Sequence, residues 1–429
     1  MKIEQSHILE VRSVFEKMHS REDFLNLLNQ VKPLVYGVKT VPIELKQLTW
    51  YANPNLGGKR YSDFSIKKKS GADRLIHAPV SGMKSIQKAL SFILQCVFEP
   101  HKAATGFVIG RSIVDNARIH QGCNYVFNID LKDFFPSINQ SRVWACLQME
   151  PFNLNEKKSI APTESADKYF MVRSRTIAGR KQIANMIAAI CCTEMTVERQ
   201  DEKGEWVQVK QNVLPQGAPT SPVITNIVCK KLDHRLTGVA NRFGLRYSRY
   251  ADDITFSSMH NVYQKDGEFL KELHRIITDQ GFHINEKKTR LQKTGHRQEV
   301  TGLVVNEKVN VQKRYIKQLR MWLYYWERYG YEKAERIFLE QYMDDRGHLL
   351  DGGKPNMINV LAGKLDYLRM VKGADNSAYK KMKKHFDNLI IENRSNVITD
   401  PLRVKELDDV LNTFFESGFD VAMNKYSMN

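Results

Sequence analysis

The chain has 429 residues, too many for one small core, so two or three subdomains are expected. Hydrophobic residues make up 42%, enough for a globular protein, and no apolar run is long enough to cross a bilayer, which argues against a helical membrane protein. The net charge of +17 and the pI of about 9.4 call for a polyanionic partner, because the lysines and arginines cluster rather than scatter.

The N-terminus lacks the basic-then-apolar pattern of a signal peptide. The six cysteines form no C-x-x-C pair and have no histidines at zinc spacing. Both point to a protein kept in a reducing cytoplasm. Residues 1–50 read as helical, with Ile8, Val11 and Phe15, then Phe24, Leu27 and Leu28, at helix spacing. Tyr61–Ile66 and Arg74–His77 read as two short strands around a basic turn containing Lys68 and Lys69. That turn is either simply solvated or a clamp for phosphates. Met83–Phe98 is an amphipathic helix. Thr105–Ser112 is a loop in which two glycines permit close backbone approach and Arg111 can reach a phosphate. Ser112–Gln121 is helical.

Val126–Leu131 is an apolar strand that meets Asp130 at its end, and an acid there must be paired, neutral or bound to metal. Residues 150–180 read as an irregular polar insertion, Ala184–Thr196 as a helix, and Val197–Val213 as a hairpin. A loop with three prolines, Leu214–Pro222, leads into a helix over Val223–Leu236. Leu245–Ser248 and Ile254–Ser257 are β-prone runs separated by a turn that carries Asp252 and Asp253. Two adjacent carboxylates repel; the pair is either a polar surface turn or a holder of Mg²⁺. A helix over Gly267–Gly281, a hairpin pairing Val300–Val305 with Lys308–Val311, and an aromatic, basic helical region from Arg314 complete the chain. Asp130 at a strand end, with Asp252 and Asp253 on a hairpin, is the arrangement needed to bridge two divalent ions for nucleotidyl transfer.

These stretches resemble the reverse transcriptases, and specifically the bacterial retron type. Phe127–Phe135 resembles the family's first catalytic motif, Leu214–Pro222 its template- and nucleotide-positioning loop, and Tyr250-Ala251-Asp252-Asp253 its catalytic box. Gly281–Leu291 and the hairpin around Leu303-Val304-Val305 follow in the family's order, and the likeness spans about residues 60–390. Asn116-Ala117-Arg118-Ile119-His120 and Val300-Thr301-Gly302 are similar to two retron signatures associated with recognition of a dedicated RNA.

The resemblance implies an α+β right-hand polymerase: a helical extension at 1–50, fingers at 51–125, and a palm at 126–311 with a small antiparallel sheet. The palm carries a fingers insertion at about 150–212, followed by a helical thumb at 312–390 and an extension at 391–429. It implies that Asp130, Asp252 and Asp253 are catalytic and, with Leu131, hold two Mg²⁺, for which Mn²⁺ could substitute. Lys68, Lys69 and Arg74 would bind the triphosphate, Phe135 would exclude the ribose 2′-hydroxyl, Gln216 and Gly217 would contact the nucleotide and template, and Lys288 would donate a proton to pyrophosphate. Arg111, Asn116, His120, Val300, Thr301 and Gly302 would bind RNA. The implied activity is RNA-directed DNA synthesis on a structured non-coding RNA, with dNTPs as substrates, an RNA–DNA duplex as product, and a role in anti-phage defence. The additional segments leave room for an effector protein or a homo-oligomer, and for a defence-associated enzyme with another template or protein priming. The lack of an endonuclease motif and of a maturase-like zinc finger disfavours a group II intron enzyme.

Overall fold

The computed structural model describes residues 4–56, 58–67, 71, 73–155, 167–346 and 354–398, with side chains described over these ranges except at 55, 167–178, 343–346 and 394–398. Lys68 and Lys69, residues 156–166 of the insertion and residues 399–429 of the C-terminal extension lie outside the described residues. The chain forms two compact units, Met1–Val309 and Asn310–Asn429.

In the first unit, helices α1 (Gln5–Lys17), α2 (Arg21–Tyr36) and α3 (Leu45–Ala52) bury the residues whose helical spacing is evident in the sequence. A capping box between Ser20 and Asp23 starts α2, satisfying backbone donors that a helix N-terminus leaves unpaired. β1 (Tyr61–Lys67) and β2 (Asp73–Pro79) form the expected antiparallel hairpin. Helix α4 (Ser81–Val97) is buried along most of its length and packs against α1 and α2. Helix α5 (Ile113–Ile119) is only seven residues long and begins at a second capping box, Ser112 with Asp115.

The centre of the unit is a four-stranded antiparallel sheet of β3 (Tyr125–Asp130), β6 (Arg246–Tyr250), β7 (Asp253–Ser258) and β8 (Arg290–Lys293), in the order β6-β7-β3-β8. Side chains alternate across a strand, so register decides which face each residue meets. Tyr247, Phe256, Phe127 and Leu291 share one rung, and Ile254 lies opposite Ile129. This apolar face packs its aromatic rings against Phe269 of α9 (Glu268–Asp279). Burying each such ring contributes about 1.5–3 kcal/mol. The opposite face is polar. Asn128 donates to Thr255 at 3.1 Å and accepts from Gln292, and the row ends at Asp130 opposite Asp253.

Helix α6 (Gln140–Leu147) follows β3, and α7 (Asp167–Cys191), β4 (Thr193–Gln200) and β5 (Trp206–Val213) are the described elements of the insertion. Two expectations change here. The stretch read as irregular up to residue 180 is helical from Asp167, and the following helix stops at Cys191 because Thr193, Thr196 and Val197 pair across β4–β5. Helix α8 (Ser221–Arg242) runs behind the sheet. The hairpin near residue 300 is also tighter than expected. β9 (Glu299–Val300) pairs with β10 (Leu303–Val304), so the hairpin closes within the 300–305 run itself. Thr301 and Gly302 both have positive φ, 48° and 81°, which closes a two-residue turn.

The second unit contains α10 (Lys313–Tyr329), α11 (Tyr331–Arg346), α12 (Met357–Lys372) and α13 (Ser377–Ile398). Leu319, Trp322, Leu323 and Trp326 of α10 form its core with Phe338, Leu365 and Phe386. The opposite side of α10 exposes Lys313, Lys317, Arg320 and Tyr324. No helix among the described residues is long and apolar enough to cross a membrane.

Candidate active site

The β6–β7 turn consists of Ala251 and Asp252 between the paired residues Tyr250 and Asp253, and Ala251 adopts φ 58° to close it. The turn is mounted from behind by ions. The guanidinium of Arg249, fully buried, donates to both oxygens of Asp233 on α8 at 2.7 and 2.8 Å, to Asn226 at 3.0 Å and to the Ala251 carbonyl at 3.1 Å. The Tyr247 hydroxyl gives Asp233 a third bond at 2.7 Å. A buried pair satisfied on all sides is rigid, because breaking any contact strands a charge. From the side, Asn226 donates to the Gly106 carbonyl at 3.0 Å, and a Cβ at residue 106 would lie 2.9 Å from the Tyr250 carbonyl carbon, so only glycine fits there.

Asp130 and Asp253 face each other directly in the sheet, and the Leu131 N–H donates to the Asp252 carbonyl at 3.1 Å. The three acids of the sequence reading thus come from one rung and the turn beside it. Like charges so placed repel. Burial, then the neighbouring charges of Asp252 and Asp130, push the Asp253 carboxyl up to about 6, although part of the side chain still meets solvent. Burial foremost also raises Asp252, with Asp130 adding to it and Lys288 and Arg74 opposing it. Lys288 Nζ contacts both oxygens of Asp130 at 2.9 Å, and Asn285 donates to one of them at 3.1 Å.

Among the described residues no three metal-binding side chains converge tightly enough to cage an ion as they stand. The donor set nonetheless suits a hard divalent cation. Its members are oxygen donors only, burial and then neighbouring charge raise the carboxyls of Asp252 and Asp253, and the Lys288 ammonium supplies a compensating charge at Asp130. Asp130, Asp252 and Asp253, with the Leu131 backbone, are the groups that fit it.

The substrate candidates lie around this rung. Phe135 is half-buried, its ring 6.2 Å from that of Phe107. Gln216 accepts a bond from the His77 N–H at 2.9 Å, so β2 and the proline-rich loop are joined. Gly217 has φ 123°, and a Cβ there would meet the His77 carbonyl oxygen at 2.8 Å. Arg74 is exposed on β2 and close enough to act on Asp252. Sequence reasoning missed Asn285, Arg249, Asp233 and Gly106. Gly106 carried a signal, lying in a loop punctuated by two glycines, and Arg249 adjoins the acidic box.

The residues expected to bind RNA divide differently. Arg111 is exposed but donates to the carbonyls of Lys102 and Ala104 at 2.6 and 2.9 Å. Asn116, His120 and Val300, by contrast, are fully buried. Thr301 is half-buried with its hydroxyl on the Ile113 carbonyl at 3.3 Å, and Gly302 is exposed.

A family profile described as reverse transcriptase (RNA-dependent DNA polymerase) matches residues 66–319. The chain is 34% identical over 283 residues to the retron Mx162 reverse transcriptase of Myxococcus xanthus, a match covering 62% of this chain and 52% of that protein. It is 34% identical over 293 residues to the retron Mx65 enzyme of the same organism, covering 66% and 60%. Against the retron Ec86 reverse transcriptase of Escherichia coli it is 32% identical over 269 residues, covering 61% and 68%. The chain therefore matches little more than half the length of the first of these relatives. Among solved structures, a Candida albicans telomerase with a telomeric RNA fragment aligns over 81% of this chain and 65% of its own at 11% identity, with a TM-score of 0.39, too low to add to the family match.

Proposed function

The chain belongs to the reverse transcriptase family, in its retron type, and we propose on that premise that it is an RNA-directed DNA polymerase whose active site is the Asp130–Asp253 rung with Asp252. The observation that carries this is the placing of Asp130 opposite Asp253 at one end of the central strand pair, with Asp252 in the adjoining turn and Lys288 on Asp130. The groups that would hold Mg²⁺ or Mn²⁺ are Asp130, Asp252, Asp253 and the Leu131 backbone. Two such ions, when bound, lower the pKa of an attacking 3′-hydroxyl and neutralise the triphosphate and its leaving pyrophosphate.

The chain's own side chains do the rest. Arg74 draws the triphosphate from the fingers side. Gln216 and Gly217 support the nucleotide and template, and the glycine lets the loop lie flush on β2. Phe135 bars the 2′-hydroxyl of a ribonucleotide. Lys288, which neutralises Asp130 in the free protein, protonates the departing pyrophosphate. We assign fingers to 51–125, the palm to 126–311 with an insertion at about 150–212, and a thumb to 312–390 whose exposed basic and aromatic side chains on α10 grip duplex phosphates.

The resemblance to retron enzymes supports a structured non-coding RNA as template, priming by a hydroxyl within it, a cytoplasmic setting and a role in anti-phage defence. The decisive experiment is extension of a DNA primer on poly(rA) with dTTP and Mg²⁺, for wild type and for Asp252→Asn/Asp253→Asn. Activity in the wild type with loss of at least about a hundred-fold in the variant is expected; equal rates would end the site assignment. Sequencing the nucleic acid that copurifies with the protein tests the template: RNA joined to cDNA through a branch is the expected product.

A further inference from the structure

Asn116 lies on α5 and His120, four residues on, is the residue that caps it, so both side chains leave the same side of the helix. That side rests on the polar face of the central sheet. Ser248 pairs with Thr255, Ser257 pairs with Val126 and Arg246, and alternation puts Ser248, Thr255 and Ser257 on the face that carries Asp253 and Asp130.

Five polar side chains form one buried relay. His120 Nδ1 lies 2.7 Å from the Ser257 hydroxyl, and Nε2 lies 2.7 Å from the Ser248 hydroxyl. Ser248 donates to Asn116 Oδ1 at 2.7 Å, and the Thr105 hydroxyl donates to the same oxygen at 2.7 Å. With Asn116 Oδ1 as the shared acceptor, Ser248 accepts from Nε2–H and Nδ1 accepts from Ser257, while the buried Asn116 Nδ2 meets no partner among the described residues. A neutral imidazole with the proton on Nε2 therefore satisfies both of its nitrogens. Ser257 is on β7, Ser248 on β6, and Thr105 on the segment that bonds the Arg249 backbone on either side, through the Ala103 carbonyl at 2.9 Å and the Thr105 N–H at 2.8 Å. All four side chains, and His120 itself, are buried.

We propose that Asn116 and His120 are positioning residues for the catalytic turn. His120 staples β6 to β7 two to four rungs from Asp253, and Asn116 ties that staple to the 103–106 segment, whose Gly106 abuts Tyr250 and Ala251. An apolar plug would stabilise this site as well; a directed polar relay also fixes a single register, and a slip of one residue would turn Asp253 to the other face. Any influence of this segment on RNA passes through the shape of the active site. The proposal rests on the polymerase reading of the three acids.

The test uses the full-length protein with His120→Ala, His120→Gln, Ser257→Ala and Asn116→Ala. Three quantities are measured below each variant's melting range: kcat and KM for dTTP on poly(rA) primed with oligo(dT), affinity for the copurifying RNA, and backbone hydrogen exchange over residues 249–256. Expected are a fall in kcat of about ten- to a hundred-fold in His120→Ala, KM and RNA affinity within about two-fold of wild type, and faster exchange in the hairpin. His120→Gln, which keeps a donor toward Ser248, should recover part of kcat. Ser257→Ala removes one bond at little volume and serves if His120→Ala does not fold. Unchanged hairpin exchange overturns the proposal whatever the activity. So does a lower melting point with unchanged kcat per folded molecule, or lost RNA affinity with unchanged kcat. If wild type copies no template while exchange responds as expected, the polymerase reading fails and the staple stands.

Discussion

Phe135 and His120 show two ways a single side chain shapes this site. The Phe135 ring is held by Phe134 at 5.6 Å and Phe107 at 6.2 Å, so it cannot swing freely from the sugar it is assigned to screen. Phe135→Ala opens that space, and the ratio of kcat/KM for dTTP over UTP should fall at least about ten-fold, with dTTP incorporation largely kept. An unchanged ratio in primer extension would remove Phe135 from the gate. His120 acts through charge it does not carry. Complete burial, with a smaller push from Arg246, holds its pKa down to about 3 against 6.5. Above pH 6.5 the ring is neutral folded or unfolded and contributes no pH dependence. Below that, only the unfolded chain takes up the proton, so stability drops by about 1.4 kcal/mol per pH unit until the folded pKa is reached. Urea unfolding at pH 7.5 and 5.0 should therefore show wild type losing about 2 kcal/mol more than His120→Gln over that interval. Equal losses would mean the imidazole is not held neutral.

At the scale of elements, the β6–β7 hairpin stands on three neighbours: α8 through Asp233 and Asn226, the end of α5 through His120, and the 103–106 segment by backbone contact. The third is the simplest to perturb. Gly106→Val drives a branched side chain into backbone atoms of Tyr250 and Ala251, and backbone cannot give way as a flexible side-chain end can. Primer extension should fall at least about ten-fold, while circular dichroism stays that of wild type, since the clash is confined to one turn. Retention of full activity would show that the turn is not braced there. The hairpin itself was legible because strands alternate with period two and its acids interrupt two β-prone runs. The start of α7 was not, because the polar residues around Asp167 resemble a loop. The pairing of Glu299–Val300 with Leu303–Val304 was missed because it depends on two positive-φ residues, only one of them glycine. The buried contacts of Asn116 and His120 were hidden for another reason. Their partners Ser248 and Ser257 lie more than a hundred residues away, so nothing in the local sequence points to them and only the resemblance, which sends both residues to RNA, assigns them a role.

Over the whole molecule the surplus of positive charge is the feature most visible in the sequence and the one least used by the catalytic rung, which is itself acidic. The compensating cations are spread over exposed positions, among them Arg74 and Arg118 in the first unit and Lys313, Lys317 and Arg320 on α10 in the second. Lysine and arginine that meet phosphates displace condensed counterions, so affinity for RNA must fall as salt rises, with a slope of about −0.7 per phosphate contacted on single strands. Five such contacts would weaken binding on the order of a hundred-fold between about 50 and 200 mM salt. Reversing α10 with Lys313→Glu/Lys317→Glu/Arg320→Glu should flatten that slope by about two units. The rate of a single dTTP addition at saturating primer-template should change little, because the acids, Lys288 and the staple on β6–β7 all belong to the other unit. A salt slope identical to wild type would mean that α10 does not meet the nucleic acid. A slope near zero in the wild type would mean that the net charge serves something other than phosphate binding.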